Sequence, residues 1–200
     1  MEDINFQELK TTILACEACA SFLPLPPKPI LQIHPDAKIL IAGQAPGRRA
    51  HESGLPFDDP SGDSLRDWLG ISKDVFYDET KVALVPMGFC FPGTGKSGDL
   101  PPRKECADLW RAKLLCQLTK IKLTVVLGTY AQVYHLKTTG KMSVTEQVKA
   151  SEFWLEQGKI ALPHPSPRNN RWLKQNPWFS TEILPELKVR VNSLLQDPES

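Results

Sequence analysis

Apolar residues gather in four short runs, at 38–43 (KILIAG), 81–87 (KVALVPM), 123–128 (LTVVLG) and 159–163 (KIALP). Runs this short and continuous predict strands buried on both faces, as in a parallel sheet. Between and around them apolar positions recur at three and four, which predicts helices over 4–15, about 64–70, 103–119, 129–136, 143–149 and 178–196. Pro101 and Pro102 open the third of these, and Pro185 is expected to kink the last. Strands alternating with helices predict an α/β fold: one domain over 1–200, three layers (α/β/α), with a central four-stranded parallel sheet. Ligands of such sheets bind at the carboxyl ends of the strands. The two loops richest in Gly, Pro, His and Asn follow the first and fourth strands, and both fall there.

Composition narrows the class. Of 200 residues, 41% are hydrophobic and 24% charged, which excludes disordered and fibrous chains. No apolar run approaches the about 20 residues of a membrane span, and the start has no basic-then-apolar leader. The expectation is a soluble, cytoplasmic monomer with no membrane partner. Net charge is +1, from 24 basic and 23 acidic residues, so a nucleic acid would have to be met by a local basic face. Eighteen prolines predict rigid turns and short helices.

The first loop opens Gly43-Gln44-Ala45-Pro46-Gly47. A glycine bracket after a strand lets backbone N–H groups approach a ligand closely, and it also serves a plain strand-to-helix turn. It matches neither a Walker loop nor the dinucleotide pattern. Gly93-Thr94-Gly95-Lys96-Ser97 has a Walker-like ending but lacks the spaced first glycine, so a nucleotide triphosphatase is rejected. The fourth-strand loop reads His164-Pro165-Ser166-Pro167-Arg168-Asn169-Asn170. A His flanked by Pro163 and Pro165 is held where its ring can bond a ligand or cap a turn. Arg168, Arg171 and Lys174, with two asparagines and no acid, form a candidate phosphate-contacting stretch. Phe57, Trp172 and Trp178 are loop aromatics able to stack on a base, with core packing favoured for Trp178.

Five cysteines in an unexported chain are not a disulfide framework. Cys16 and Cys19 form a Cys-x2-Cys pair; 70 residues separate Cys19 from Cys90, and 15 separate Cys90 from Cys106. Thiol-only sets favour an iron–sulfur cluster or structural zinc, though four unrelated buried cysteines fit the same spacing. Zinc ribbons pair two short knuckles, and one is present. Cys116 sits in an apolar helical stretch and is expected to be a buried small hydrophobe.

Together these segments resemble the uracil-DNA glycosylase superfamily: GQAPG and SGLPFDD after the first strand, the cysteine set, VVLGTYA at the third strand and HPSPRNN after the fourth. The resemblance covers about residues 12–190 and looks most like the iron–sulfur branch, family four, with this chain a divergent member. It implies that Gly43, Gln44, Ala45, Pro46 and Gly47 hold water and part of the base pocket, and that Phe57 stacks on a flipped base. It implies that His164 bonds the departing base while Ser166, Arg168, Asn169, Asn170 and Arg171 meet DNA. Cys16, Cys19, Cys90 and Cys106 would carry a structural 4Fe-4S cluster, with zinc the alternative.

The chain departs from that branch in three places, one of them the last motif, HPSPRNN, which resembles the single-strand-selective branch more. Gln44 stands where the branch has a glutamate, and in place of the branch's acids near Ala50 and His51 the nearby acid is Glu52, which leaves Gln44, His51 or Glu52 to position water. Pro86 stands where the branch has a uracil-reading asparagine, and proline cannot make those side-chain bonds. The expected function is therefore a monofunctional DNA glycosylase acting on DNA with a damaged base, uracil or another deaminated one. The alternatives are a silent DNA- or nucleobase-binding member of the superfamily and a redox iron–sulfur protein.

Overall fold

The computed structural model describes residues 5–96, 98–138 and 142–196. Ile4 of the first expected helix and Ser97 of the Walker-like run lie outside them. Strands β1 (Ile39–Ala42) and β2 (Val82–Leu84) are followed by a small hairpin, β3 (Thr94–Gly95) with β4 (Gly98–Asp99). Strands β5 (Leu123–Leu127) and β6 (Lys159–Leu162) complete the set. The four apolar runs pair as one all-parallel sheet in the order β2-β1-β5-β6, and the β3–β4 hairpin stands apart from it.

The period-two alternation of strands divides their side chains between two cores. Ile39, Ile41, Val82, Leu84, Val125 and Ile160 pack with α3 (Pro60–Leu69), α8 (Val144–Lys149) and α11 (Leu184–Gln196). Leu40, Ala83 and Val85 face the other way, onto α1 (Phe6–Leu14) and α6 (Ala112–Gln117). Ala42, Val126 and Ala161 extend that second face under α7 (Gly128–His135) and α9 (Ser151–Leu155). The expected three layers are present, with apolar side chains on both sheet faces.

The differences lie in the irregular stretches. The region after β1 contains α2 (Arg48–Ser53), and α3 begins at Pro60, with Asp59 capping it and proline at a position that needs no N–H. Short helices α4 (Lys73–Phe76) and α10 (Asn170–Gln175) were not expected. The third expected helix starts after the prolines, at α5 (Lys104–Cys106), and passes through a π-type turn, Ala107–Arg111, into α6. The helical run over 178–196 is continuous but irregular beside Pro185: a second π-type turn, Phe179–Ile183, leads directly into α11, where the proline's missing N–H falls. Cys116 is exposed, not buried. It lies two residues from the buried Leu114 and two from Leu118, on the opposite side of the helix.

Candidate functional site

Beyond the sheet, Met87 N–H donates to Gly43 O at 2.9 Å and Gly88 N–H to Gln44 O at 3.0 Å. The loop after β1 therefore runs beside the segment after β2. A cavity of about 450 Å³ opens there, at the carboxyl ends of β1, β2 and β6. Gly43, Gln44, Ala45, Pro46 and Gly47 line one side, Phe57 and Pro86 another. His164, Ser166, Arg168 and Asn169 close it from the fourth-strand loop.

Phe57 is held in an unusual backbone state, with φ at 57°, which side-chain-bearing residues rarely adopt. The surrounding contacts hold it there. Its carbonyl lies against Gly62 so closely that any Cβ on Gly62 would collide with it. Arg66 Nη1 donates to that same carbonyl at 3.4 Å, and Phe76 meets the ring edge-on at 6.0 Å. A Cβ on Gly43 would stand 3.3 Å from Phe57 Cζ, so the ring packs against bare backbone at the end of β1.

His164 is fixed from both ends. Ser166 N–H donates to its Nδ1 at 3.2 Å, and Asn169 Nδ2 donates to its carbonyl at 2.7 Å. An accepting Nδ1 leaves the proton of the neutral ring on Nε2. Burial lowers the His164 pKa, against the opposing charges of Asp59 and Asp99. The ring is thus an uncharged donor in a cavity wall.

Both of those carboxylates also line the cavity, and the sequence had pointed to neither. Asp59 Oδ1 caps α3 by accepting from Gly62 N–H at 2.9 Å; the helix is expected only from about residue 64, which leaves Asp59 in the preceding loop. Asp99 sits on the β3–β4 hairpin, which no hydrophobic pattern announces. Gln44 Nε2 donates to Leu100 O at 3.2 Å and so ties the loop after β1 to that hairpin.

His51 and Glu52 are not in the wall. Helix α2 turns the His51 ring toward Phe91, 6.2 Å between centroids, while Glu52 is exposed. Lys28 Nζ donates to His51 O at 2.6 Å and pins that turn. Asn170 and Arg171 are exposed at the start of α10, just past the cavity.

Pro86 is braced from behind by Arg111, which is fully buried. Its Nη1 donates to Pro86 O at 2.8 Å, Nη2 to Val85 O at 3.1 Å, and Nε to His135 Nε2 at 2.9 Å. Burial, with the Arg111 charge second, pushes His135 down to about 3, so it accepts as a neutral ring. Burial lowers Arg111 to about 10, which leaves it a cation at neutral pH.

A second, smaller cavity is lined by Cys16, Cys19, Cys90 and Cys106 together. Packing of Leu9 and Ile13 of α1 against Leu114 and Phe89 brings the Cys16–Cys19 turn to the other two. Two sulfurs accept hydrogen bonds, Cys106 Sγ from Phe89 N–H and Cys16 Sγ from Trp110 Nε1, each at 3.3 Å. Among the described residues, no three His, Cys, Asp or Glu side chains are arranged to hold a metal ion.

The molecule is an open α/β domain whose ligand cavity sits at the strand ends, with a glycine-bracketed loop facing an uncharged imidazole. Comparison supplies the family. The profile of the Uracil DNA glycosylase superfamily matches residues 31–188, and the chain belongs to that superfamily. The solution NMR structure of a candidate uracil DNA glycosylase from Methanosarcina acetivorans is similar at 17% identity and a TM-score of 0.48, over 82% of this chain and 94% of that one. No helix among the described residues is long and apolar enough to cross a membrane.

Proposed function

We propose that this chain is a monofunctional DNA glycosylase that takes a flipped deaminated base, uracil or a relative, into the 450 Å³ cavity and hydrolyses its N-glycosidic bond. The observation that carries the proposal is His164, whose Nδ1 accepts from Ser166 and whose Nε2 proton is thereby available as a donor. Breaking an N-glycosidic bond leaves a cation-like sugar and an anionic base, so a fixed donor at the base carbonyl is worth most in the transition state. An uncharged imidazole gives that hydrogen bond without proton transfer. Phe57, already ordered, offers a stacking face that offsets part of the few kcal/mol of base extrusion. Arg168, Asn169, Asn170 and Arg171 lie at or beside the mouth, where they would meet the phosphate backbone.

Cys16, Cys19, Cys90 and Cys106 would hold an iron–sulfur cluster. Four thiols facing one cavity, with N–H donors to two sulfurs, fit a thiolate-ligated group. Thiol-only donors suit an iron–sulfur cluster, with structural zinc the alternative. Such a group would cross-link the turn after α1, the segment after β2 and the end of α5. The chemistry of the base does not pass through it.

The test is release of free base from single- and double-stranded oligonucleotides carrying uracil, hypoxanthine or xanthine, with His164→Ala alongside. Release by wild type and not by the variant is the expected result. Folded, cofactor-loaded protein that binds DNA but releases nothing would favour a silent binding member, a reading that Pro86 in the cavity wall keeps in view.

A further inference from the structure

We propose that Asp99, on the β3–β4 hairpin, is the catalytic carboxylate that holds the attacking water; this rests on the glycosylase reading above. Hydrolysis needs an anion near the sugar carbon, where positive charge grows, and an acceptor for the proton of water. The loop after β1 carries no acid from Gly43 to Gly47. Of the two carboxylates in the cavity wall, Asp59 is committed by Oδ1 to the N-terminus of α3. Asp99 is bonded through Oδ1 to the Thr94 hydroxyl at 3.3 Å, and its Oδ2 stands 3.4 Å from where a Cβ on Gly47 would be.

Position in the cavity separates base from sugar. His164 is largely buried, whereas Asp99 is exposed at the rim, yet its charge reaches the imidazole. A base seated between Phe57 and His164 would leave its sugar at the rim. The Arg168 guanidinium packs against Gly98, so a phosphate-seeking group lies beside the carboxylate. Asp59 and Arg168 are the other charged groups in the wall, beside the uncharged ring of His164. Gln44 becomes a positioning residue, because its bond to Leu100 O fixes the chain one residue past Asp99.

The step balances. A lone pair of the water oxygen forms the bond to C1′ as the C1′–N bond breaks and its electron pair leaves with the base. The proton of water passes to the Asp99 carboxylate and then to solvent. The anionic base stays bonded to His164 Nε2–H and takes a proton from solvent on release.

The experiment is single-turnover excision of the base that wild type releases fastest, with binding of an uncleavable 2′-fluoro analogue measured in parallel. Asp99→Asn should lose about 100-fold or more in rate and keep analogue binding within about threefold. Asp99→Glu should recover part of the rate. Gln44→Ala should lower the rate about tenfold with analogue binding retained. Asp99→Asn within about threefold of wild type, or a rate loss matched by lost binding, would overturn the proposal and leave the glycosylase reading standing. A wild type inactive on every base would overturn both.

Discussion

The amide of Ser166 donates to Nδ1 of His164 at 3.2 Å, and this one bond sets the chemistry of the cavity by choosing the tautomer. Pro165 and Pro167 hold the turn that aims Ser166 N–H back at the ring. Protonation of Nδ1 would set two donors against each other, which reinforces the lowering of the His164 pKa by burial.

His164→Ala should therefore reduce single-turnover excision by about 100- to 1,000-fold, the usual effect of losing one donor to a developing anion. Binding of an abasic product analogue should change far less. With its pKa depressed, His164 stays neutral as pH falls through the ordinary imidazole range near 6.5. The wild-type rate should hold level through that range. A midpoint near 6.5 that disappears in the alanine variant would contradict the assignment.

Gly62→Ala tests how Phe57 is held. The added methyl meets the Phe57 carbonyl oxygen, so either α3 or the Phe57 turn must move. A destabilisation of about 1–3 kcal/mol in urea unfolding is expected. Analogue binding should weaken as well, because the stacking face shifts with the turn.

Phe57→Ala removes that face and keeps the backbone. Stacking of a base on an aromatic ring is worth about 1–3 kcal/mol, so affinity for DNA carrying a flipped-base analogue should fall by about 5- to 150-fold. The effect should be clearly smaller on undamaged DNA, which would not fill the cavity. Equal losses on both would place Phe57 in the general DNA grip.

The Arg111–His135 pair predicts how stability follows pH. His135 is pushed down to about 3 in the folded chain, while its unfolded value is near 6.5. Between those values the unfolded chain binds one more proton. This contribution is complete above about 6.5 and is lost as pH falls toward 3, with a slope of up to about 1.4 kcal/mol per pH unit. Urea unfolding from neutral to acidic pH measures it. His135→Gln, which can still accept from Arg111, should flatten the slope.

The proposed cluster at Cys16, Cys19, Cys90 and Cys106 supplies a further check. Protein purified without oxygen should carry iron and sulfide in equal amounts with a visible charge-transfer absorption. Cys16→Ala or Cys106→Ala should abolish both, and proteolysis should then cut first in the segments around Cys19 and Cys90. One zinc per chain and no colour would move the assignment to zinc.

Strand runs, sheet face and loop positions were legible because burial on both sides of a parallel sheet leaves a mostly apolar signature at 39–42, 82–84, 123–127 and 159–162, broken by Thr124 and Lys159. His164, Phe57 and the 43–47 loop could be singled out because glycine, proline and histidine at strand ends restrict the backbone locally. The sequence by itself determined those elements and that chemical inventory. Tertiary structure alone decided which inventory members meet. Helix α2 swung His51 toward Phe91 and Glu52 to solvent, and a hairpin with no hydrophobic pattern brought Asp99 to the rim. Arg111 reached Pro86 across 25 residues of chain. Contacts of that kind come from how layers stack, which depends on summed packing across the whole core and leaves little trace in any local window of sequence.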